Sequence, residues 1–154
     1  MNKLEELENK INELASEIER LKEEKENEVW KPKDGEWYWF ISHSGEGLTT
    51  VWHGDIVDQS RYALGNVFKT EEEAEFRTKQ IKVEAELRRF SRPFKSGSEN
   101  YTLGYRHLYD KIEVTFFEAI QCGNVYFPSK EIAQKAIDTV GTDRIKKYYF
   151  GINE

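Results

Sequence analysis

The sequence predicts an α+β protein: a coiled-coil helix over residues 1–29, then a small domain of two ββα-like repeats, an antiparallel sheet packed with two helices. Three observations predict it. The first thirty residues carry one narrow apolar stripe in an otherwise polar run. Nearly all of the aromatic residues (4 Trp, 8 Tyr and 9 Phe) lie beyond residue 29, many in short β-favouring runs bounded by turn residues. The run G-N-V-F-K-T-E-E-E-A recurs in the second half as G-N-V-Y-F-P-S-K-E-I-A, with one residue inserted.

In the first segment Leu4, Leu7, Ile11, Leu14, Ile18 and Leu21 alternate spacings of three and four without a break. That is a coiled-coil seam, with Ile11 and Ile18 at a and Leu7, Leu14 and Leu21 at d, and Lys25 ends it. A helix that packs on its own domain needs a wider apolar face than a and d alone. The pattern therefore predicts pairing with a second copy, as a dimer. Its direction stays open. Ile at a with Leu at d suits a parallel pair, in which Lys3 meets Glu8 and Glu17 meets Lys22. An antiparallel pair that sets Leu4 against Leu21 brings Lys3 near Glu24, Lys10 near Glu17 and Glu8 near Lys22. Exposed pairs are each worth only ~0.2–1 kcal/mol, so charge does not choose. Glu5, Glu6, Glu13, Glu19, Glu23, Glu24, Glu26 and Glu28 line the outer side and read as a solvated face.

Val29 to Gly35 is a hinge, in which Pro32 ends the helical tendency and Asp34-Gly35 marks a turn. The first repeat then spans 30–95. Residues 36–44 and 48–53 form a hairpin around Gly45-Glu46-Gly47. Trp37 and Trp39 share one face and Tyr38 and Phe40 the other, so both faces need cover unless one presents its rings to a ligand. Asp55, Asp58 and Arg61 make a polar cluster in the following loop, and Val67-Phe68 adds a short strand. Thr70 and Glu73 form a capping box that opens a helix running to about Phe90, before Pro93. The second repeat spans 96–154 after a Ser96-Gly97-Ser98 linker. Its strands are Tyr101 to Leu108 and Ile112 to Ile120, and its helix runs from about Lys130 to Val140. Phe68 corresponds to Phe127, Thr70 to Ser129, Glu72 to Glu131 and Ala74 to Ala133, through duplication or through convergence on one cap chemistry. Two such units can share one domain and one sheet, with both helices on one face.

The formal net charge of −6 argues against general attraction to phosphate, although local basic patches remain. A single cysteine, Cys122, allows no internal disulfide and suits a reducing cytosol; no apolar run approaches a membrane span, and the start is acidic rather than a signal peptide. A soluble cytoplasmic protein without a membrane partner is expected. No cofactor or metal is expected either, because His43, His53 and His107 have no ligand spacing. No nucleophile elbow or phosphate-cradling loop appears, and Cys122 more commonly reads as an inert thiol, so a non-enzymatic protein is expected. Two binding surfaces compete. Arg88, Arg89, Arg92 and Lys95, following Arg77, Lys79 and Lys82, make the end of the first long helix basic, and Lys146-Lys147 precede Tyr148-Tyr149. Basic residues with stacking rings suit single-stranded nucleic acid, while the same residues late in a helix also complement its dipole. Trp37, Trp39 and Trp52 with Arg61 offer an aromatic ligand face for a small signalling nucleotide.

The motifs W-K-P-K-D-G-E-W-Y-W-F-I (30–41), R-Y-A-L-G-N-V-F-K-T-E-E-E-A-E (61–75), A-E-L-R-R-F (85–90) and D-R-I-K-K-Y-Y-F-G-I (143–152) resemble a family of small accessory proteins. These are scattered through phages, prophages and mobile elements of Gram-positive bacteria, and the resemblance covers roughly residues 30–152. It carries over no catalytic residue. What it implies is a setting: small acidic phage proteins of this kind are often inhibitors of host defence, including anti-CRISPR proteins that bind a Cas effector. The resemblance thus implies a non-enzymatic inhibitor that acts in the host cytoplasm, with the coil giving bivalency. The alternatives are a nucleic-acid-binding accessory protein and a nucleotide sponge.

Overall fold

The computed structural model describes residues 2–153. Helix α1 (Lys3–Glu26) is followed by β1 (Trp37–Ile41), β2 (Gly47–Val51), α2 (Ile56–Ala63) and α3 (Glu71–Arg88). Next come β3 (Asn100–Arg106), β4 (Lys111–Phe117), α4 (Lys130–Val140), a single turn α5 (Thr142–Arg144) and a π-helical turn at Ile145–Tyr149. The protein is α+β, as the sequence pattern predicts.

Each hairpin is antiparallel, with Trp39 opposite Thr49 in the first and Leu103 opposite Val114 in the second. The expected shared sheet is not formed: β1–β2 and β3–β4 are separate two-stranded sheets. The reason lies in the repeated motif. Phe68 lies beside β1 and exchanges two backbone hydrogen bonds with Trp39, at 2.9 and 2.8 Å; Phe127 does the same beside β3 with Tyr101, at 3.3 and 2.7 Å. The outer edge of each hairpin's first strand is thereby occupied from within its own unit. In the first unit Asn66 lengthens this edge, its amide accepting from Ile41 N–H at 2.7 Å and donating to Ile41 C=O at 2.8 Å. Asn124, its counterpart, bonds Gln121 instead. Two residues later each chain enters a helix through the same device: Thr70 accepts from Glu73 N–H and Ser129 from Ile132 N–H. The Glu73 carboxylate accepts from Lys69 N–H rather than from the cap residue, so the predicted box is displaced by one position.

Helix α3 joins the two units. It buries Ala74 and Thr78, then Val83 and Leu87. Each pair is four residues apart, but the five-residue step between the pairs turns the buried stripe by roughly 140°. The first half lies under the first hairpin, where Trp39 and Ala74 flank Gly47. The second half enters the main core with Leu103, Ile112, Val125, Phe127, Ile137, Val140 and Ile145. A doubly hydrogen-bonded ion pair, in which both terminal guanidinium nitrogens of Arg144 donate to the Glu86 carboxylate at 2.8 Å, ties the last turns to α3.

Helix α2 was not expected. Residues 55–61 read as a loop because the segment is short and its apolar residues do not form a stripe. Asp55 caps the helix by accepting from Asp58 N–H at 2.9 Å, and Asp58, inside its first turn, is buried. Helix α2 covers the Tyr38–Phe40–Trp52 side of the first hairpin.

Candidate functional site

Helix α1 holds the most exposed apolar surface in an ordered pattern. Local chemistry explains why it is helical. Asn2 accepts from Leu4 and Glu5 N–H at 2.9 Å, and Glu5 in turn accepts from Asn2 N–H at 3.0 Å. Glu5 and Glu6 complement the positive end of the helix dipole and Lys25 the negative end. Arg20 bridges Glu17, at 2.6 Å, and Glu24 along the outer face. None of these explains the seam. Leu4, Leu7, Ile11, Leu14, Ile18 and Leu21 are each 51–64% exposed, and α1 buries no residue at all. The rest of the described chain does not cover the stripe.

Several of the basic residues picked out in the sequence are engaged within the fold. Arg88 is held by Glu84 at 2.8 Å. Arg92 is a structural residue: its guanidinium donates to Asn100 at 2.9 Å and to the Glu99 carbonyl at 2.8 Å, while its N–H donates to the Tyr126 carbonyl. Lys146 pairs with Asp110 at 2.6 Å on the second hairpin, and that contact, with the Tyr105 hydroxyl, lowers the Asp110 carboxyl from its ordinary value. Lys147 lies 5.5 Å from the Tyr148 ring. Arg89 and Lys95 are exposed. Arg88 pairs within its own helix, whereas the partners Asp110 of Lys146 and Tyr126 of Arg92 are remote in the chain and so were hidden in the sequence.

The aromatic set is divided by the first hairpin. Trp37, 64% exposed, and Trp39 lie on one face; Trp52, 4% exposed, lies on the other against Tyr38 at 5.8 Å and Tyr62 at 6.2 Å. Arg61 joins the Trp52 side, 3.7 Å above the Phe40 ring, and donates to the Tyr38 hydroxyl at 2.9 Å. The four residues Trp37, Trp39, Trp52 and Arg61 therefore do not line one pocket. The hydroxyl of Tyr38, which has no exposed surface, donates to Asp58 at 2.6 Å, and the other Asp58 oxygen accepts from His53 N–H at 2.8 Å. Burial pushes the Asp58 carboxyl up, but these hydrogen bonds outweigh it and hold the group below its ordinary value. The network is fully satisfied and serves to pin α2 on the hairpin.

Among the described residues no group of three His, Cys, Asp or Glu side chains is placed to hold a metal ion, and no helix is long and apolar enough to cross a membrane. Cys122 is exposed rather than buried. One feature was missed in the sequence. The hinge is docked: Pro32 is buried, and the Lys31 ammonium lies 4.9 Å from the Tyr62 ring and 5.4 Å from Trp52. Beside it Trp30 and the end of α1 frame a pocket whose lysines come from two stretches of chain, 25–33 and Lys69. The W-K-P-K run was its only sequence signal.

Comparison with family models, with curated proteins and with solved structures finds no match for this chain.

Proposed function

We propose that this protein is a non-enzymatic binding protein made bivalent by α1, which pairs with α1 of a second copy. In the phage setting that its resemblance implies, the bound target is an effector of host defence, such as a CRISPR-Cas nuclease. The observation that carries this reading is the uncovered seam. Burying a Leu or Ile side chain completely contributes roughly 1.5–3 kcal/mol, and about half of that is available to side chains already half covered. Twelve of them in a pair are comparable to the ~4–15 kcal/mol that association costs, so a dimer of modest affinity is expected. Opposite charges flank the seam in either direction of pairing. Two linked copies then engage two sites with a gain in avidity that one copy lacks.

The test has two parts. Light scattering on the purified chain is expected to give twice the 18.2 kDa monomer mass, and the double variant Leu14→Asp with Ile18→Asp the monomer mass. A double variant that remains dimeric removes α1 from the account. A tagged copy is then used to capture partners from a Gram-positive host lysate with and without nuclease. A defence effector retained after nuclease, and inhibited by the pure protein, supports the reading. Retention of nucleic acid alone replaces it with nucleic-acid binding.

A further inference from the structure

The lysines around the hinge differ from Arg88, Arg92 and Lys146 in their surroundings. Lys25, Lys31, Lys33 and Lys69 line a pocket of about 340 Å³ together with Val29 and Trp30. None of the four has a carboxylate within ion-pair distance among the described residues, whereas Arg88, Arg144 and Lys146 all do. The chain has 29 acidic residues against 23 basic ones, so four lysines without an ion-pair partner in one small concavity run against its overall balance. Two glutamates, Glu28 and Glu36, line the same pocket, which leaves four ammonium groups against two carboxylates. The Glu36 carboxylate is engaged by Lys33 N–H at 2.8 Å, and Glu28 is exposed. Lys69 lies 5.5 Å from the Trp30 ring, and Lys31 donates to Gln59 at 3.3 Å.

We propose that this hinge pocket binds a nucleotide, its phosphates held by Lys25, Lys31, Lys33 and Lys69 and its base packed on Trp30. Ammonium groups are compact point charges suited to phosphate oxygens, and four of them against two carboxylates leave an excess of positive charge that an anion relieves. Half-exposed Trp30 and exposed Val29 supply the apolar surface that an inorganic anion does not use and a base does. The volume lies within the range of small-ligand sites. An acidic peptide would satisfy the lysines but would gain little from the indole. The site is built from one chain, so it does not depend on pairing through α1. The phosphate can belong to a free nucleotide or to the end of a single strand, and the chemistry of recognition is shared.

Calorimetry on the full chain at low salt tests this with ATP, a short oligothymidylate, tripolyphosphate and pentaglutamate. Saturable binding of ATP or of the oligonucleotide is expected, tighter than tripolyphosphate by about tenfold and weakening as salt rises. Which of the two binds tighter tells a free nucleotide from a strand. Lys33→Gln with Lys69→Gln is expected to weaken binding at least about tenfold, and Trp30→Leu to remove the advantage over tripolyphosphate. Lys95→Gln, and Leu14→Asp with Ile18→Asp, are expected to leave it unchanged, and melting curves confirm that each variant is folded. No saturable binding of either nucleotide probe overturns the proposal. So does tripolyphosphate or pentaglutamate binding as tightly as ATP.

Discussion

The Tyr38 hydroxyl connects a strand to two residues of α2 through one buried oxygen. Removing it leaves the guanidinium of Arg61 and one oxygen of Asp58 each short of a partner. Tyr38→Phe is expected to destabilise the fold by about 1–3 kcal/mol, read as a lower urea midpoint with an unchanged slope. A shift under about 0.5 kcal/mol would show that water replaces the hydroxyl at no cost. The same network sets how stability responds to pH. The Asp58 carboxyl lies below its ordinary value when folded, so its contribution is present above about pH 4 and is lost as the pH falls through the folded value. Tyr38 behaves in the opposite sense. Burial first, then the bond to Asp58, raise its hydroxyl, so its contribution holds below about pH 10 and is lost as the pH rises. Asp58→Asn is therefore expected to flatten the acid limb of a melting-temperature profile, and Tyr38→Phe the alkaline limb. At this scale the sequence showed the residue types of the cluster but not Tyr38, which lies on another element.

Helix α2 spans only Ile56–Ala63 and depends on its cap and on that network. Asp55→Ala is expected to cost about 1 kcal/mol, the usual value of an N-cap, and to speed hydrogen exchange across α2. Exchange across α3 should stay unchanged, since its buried residues do not include any that α2 supports. Faster exchange in both helices would mean that they open as one unit. Helix α3 shows why element-level reading was incomplete. Its N-cap at Thr70 was legible, as was the matching cap at Ser129, because a cap is a local hydrogen bond between neighbours in the chain. Its two buried faces were not, because a stripe that turns partway along defeats any single helical period.

For the whole molecule, α1 and the remainder are expected to separate in their energetics. No α1 residue is buried, so a chain lacking residues 1–26 should melt within a few degrees of a monomeric full-length variant, Leu14→Asp with Ile18→Asp. A large drop in the melting temperature would place α1 in the core. The two units, by contrast, are not expected to separate, because α3 contributes one half to each. Division of the chain at residue 95 therefore follows the repeat in sequence but cuts between a helix and the core that its second half completes.

By itself the sequence determined the α+β class, the extent and apolar stripe of α1, both hairpins and both helix caps. All are short-range: a heptad, an alternation or a cap is decided by residues within a turn or two of each other. Tertiary structure alone decided that the hairpins form two sheets, that α2 exists and that Trp37 and Trp39 lie apart from Trp52 and Arg61. It also decided which cations are engaged: Arg92 by Asn100 and Lys146 by Asp110, while the hinge lysines form no ion pair among the described residues. These outcomes rest on packing and charge pairing between distant stretches of chain, and a linear pattern carries no distance between them.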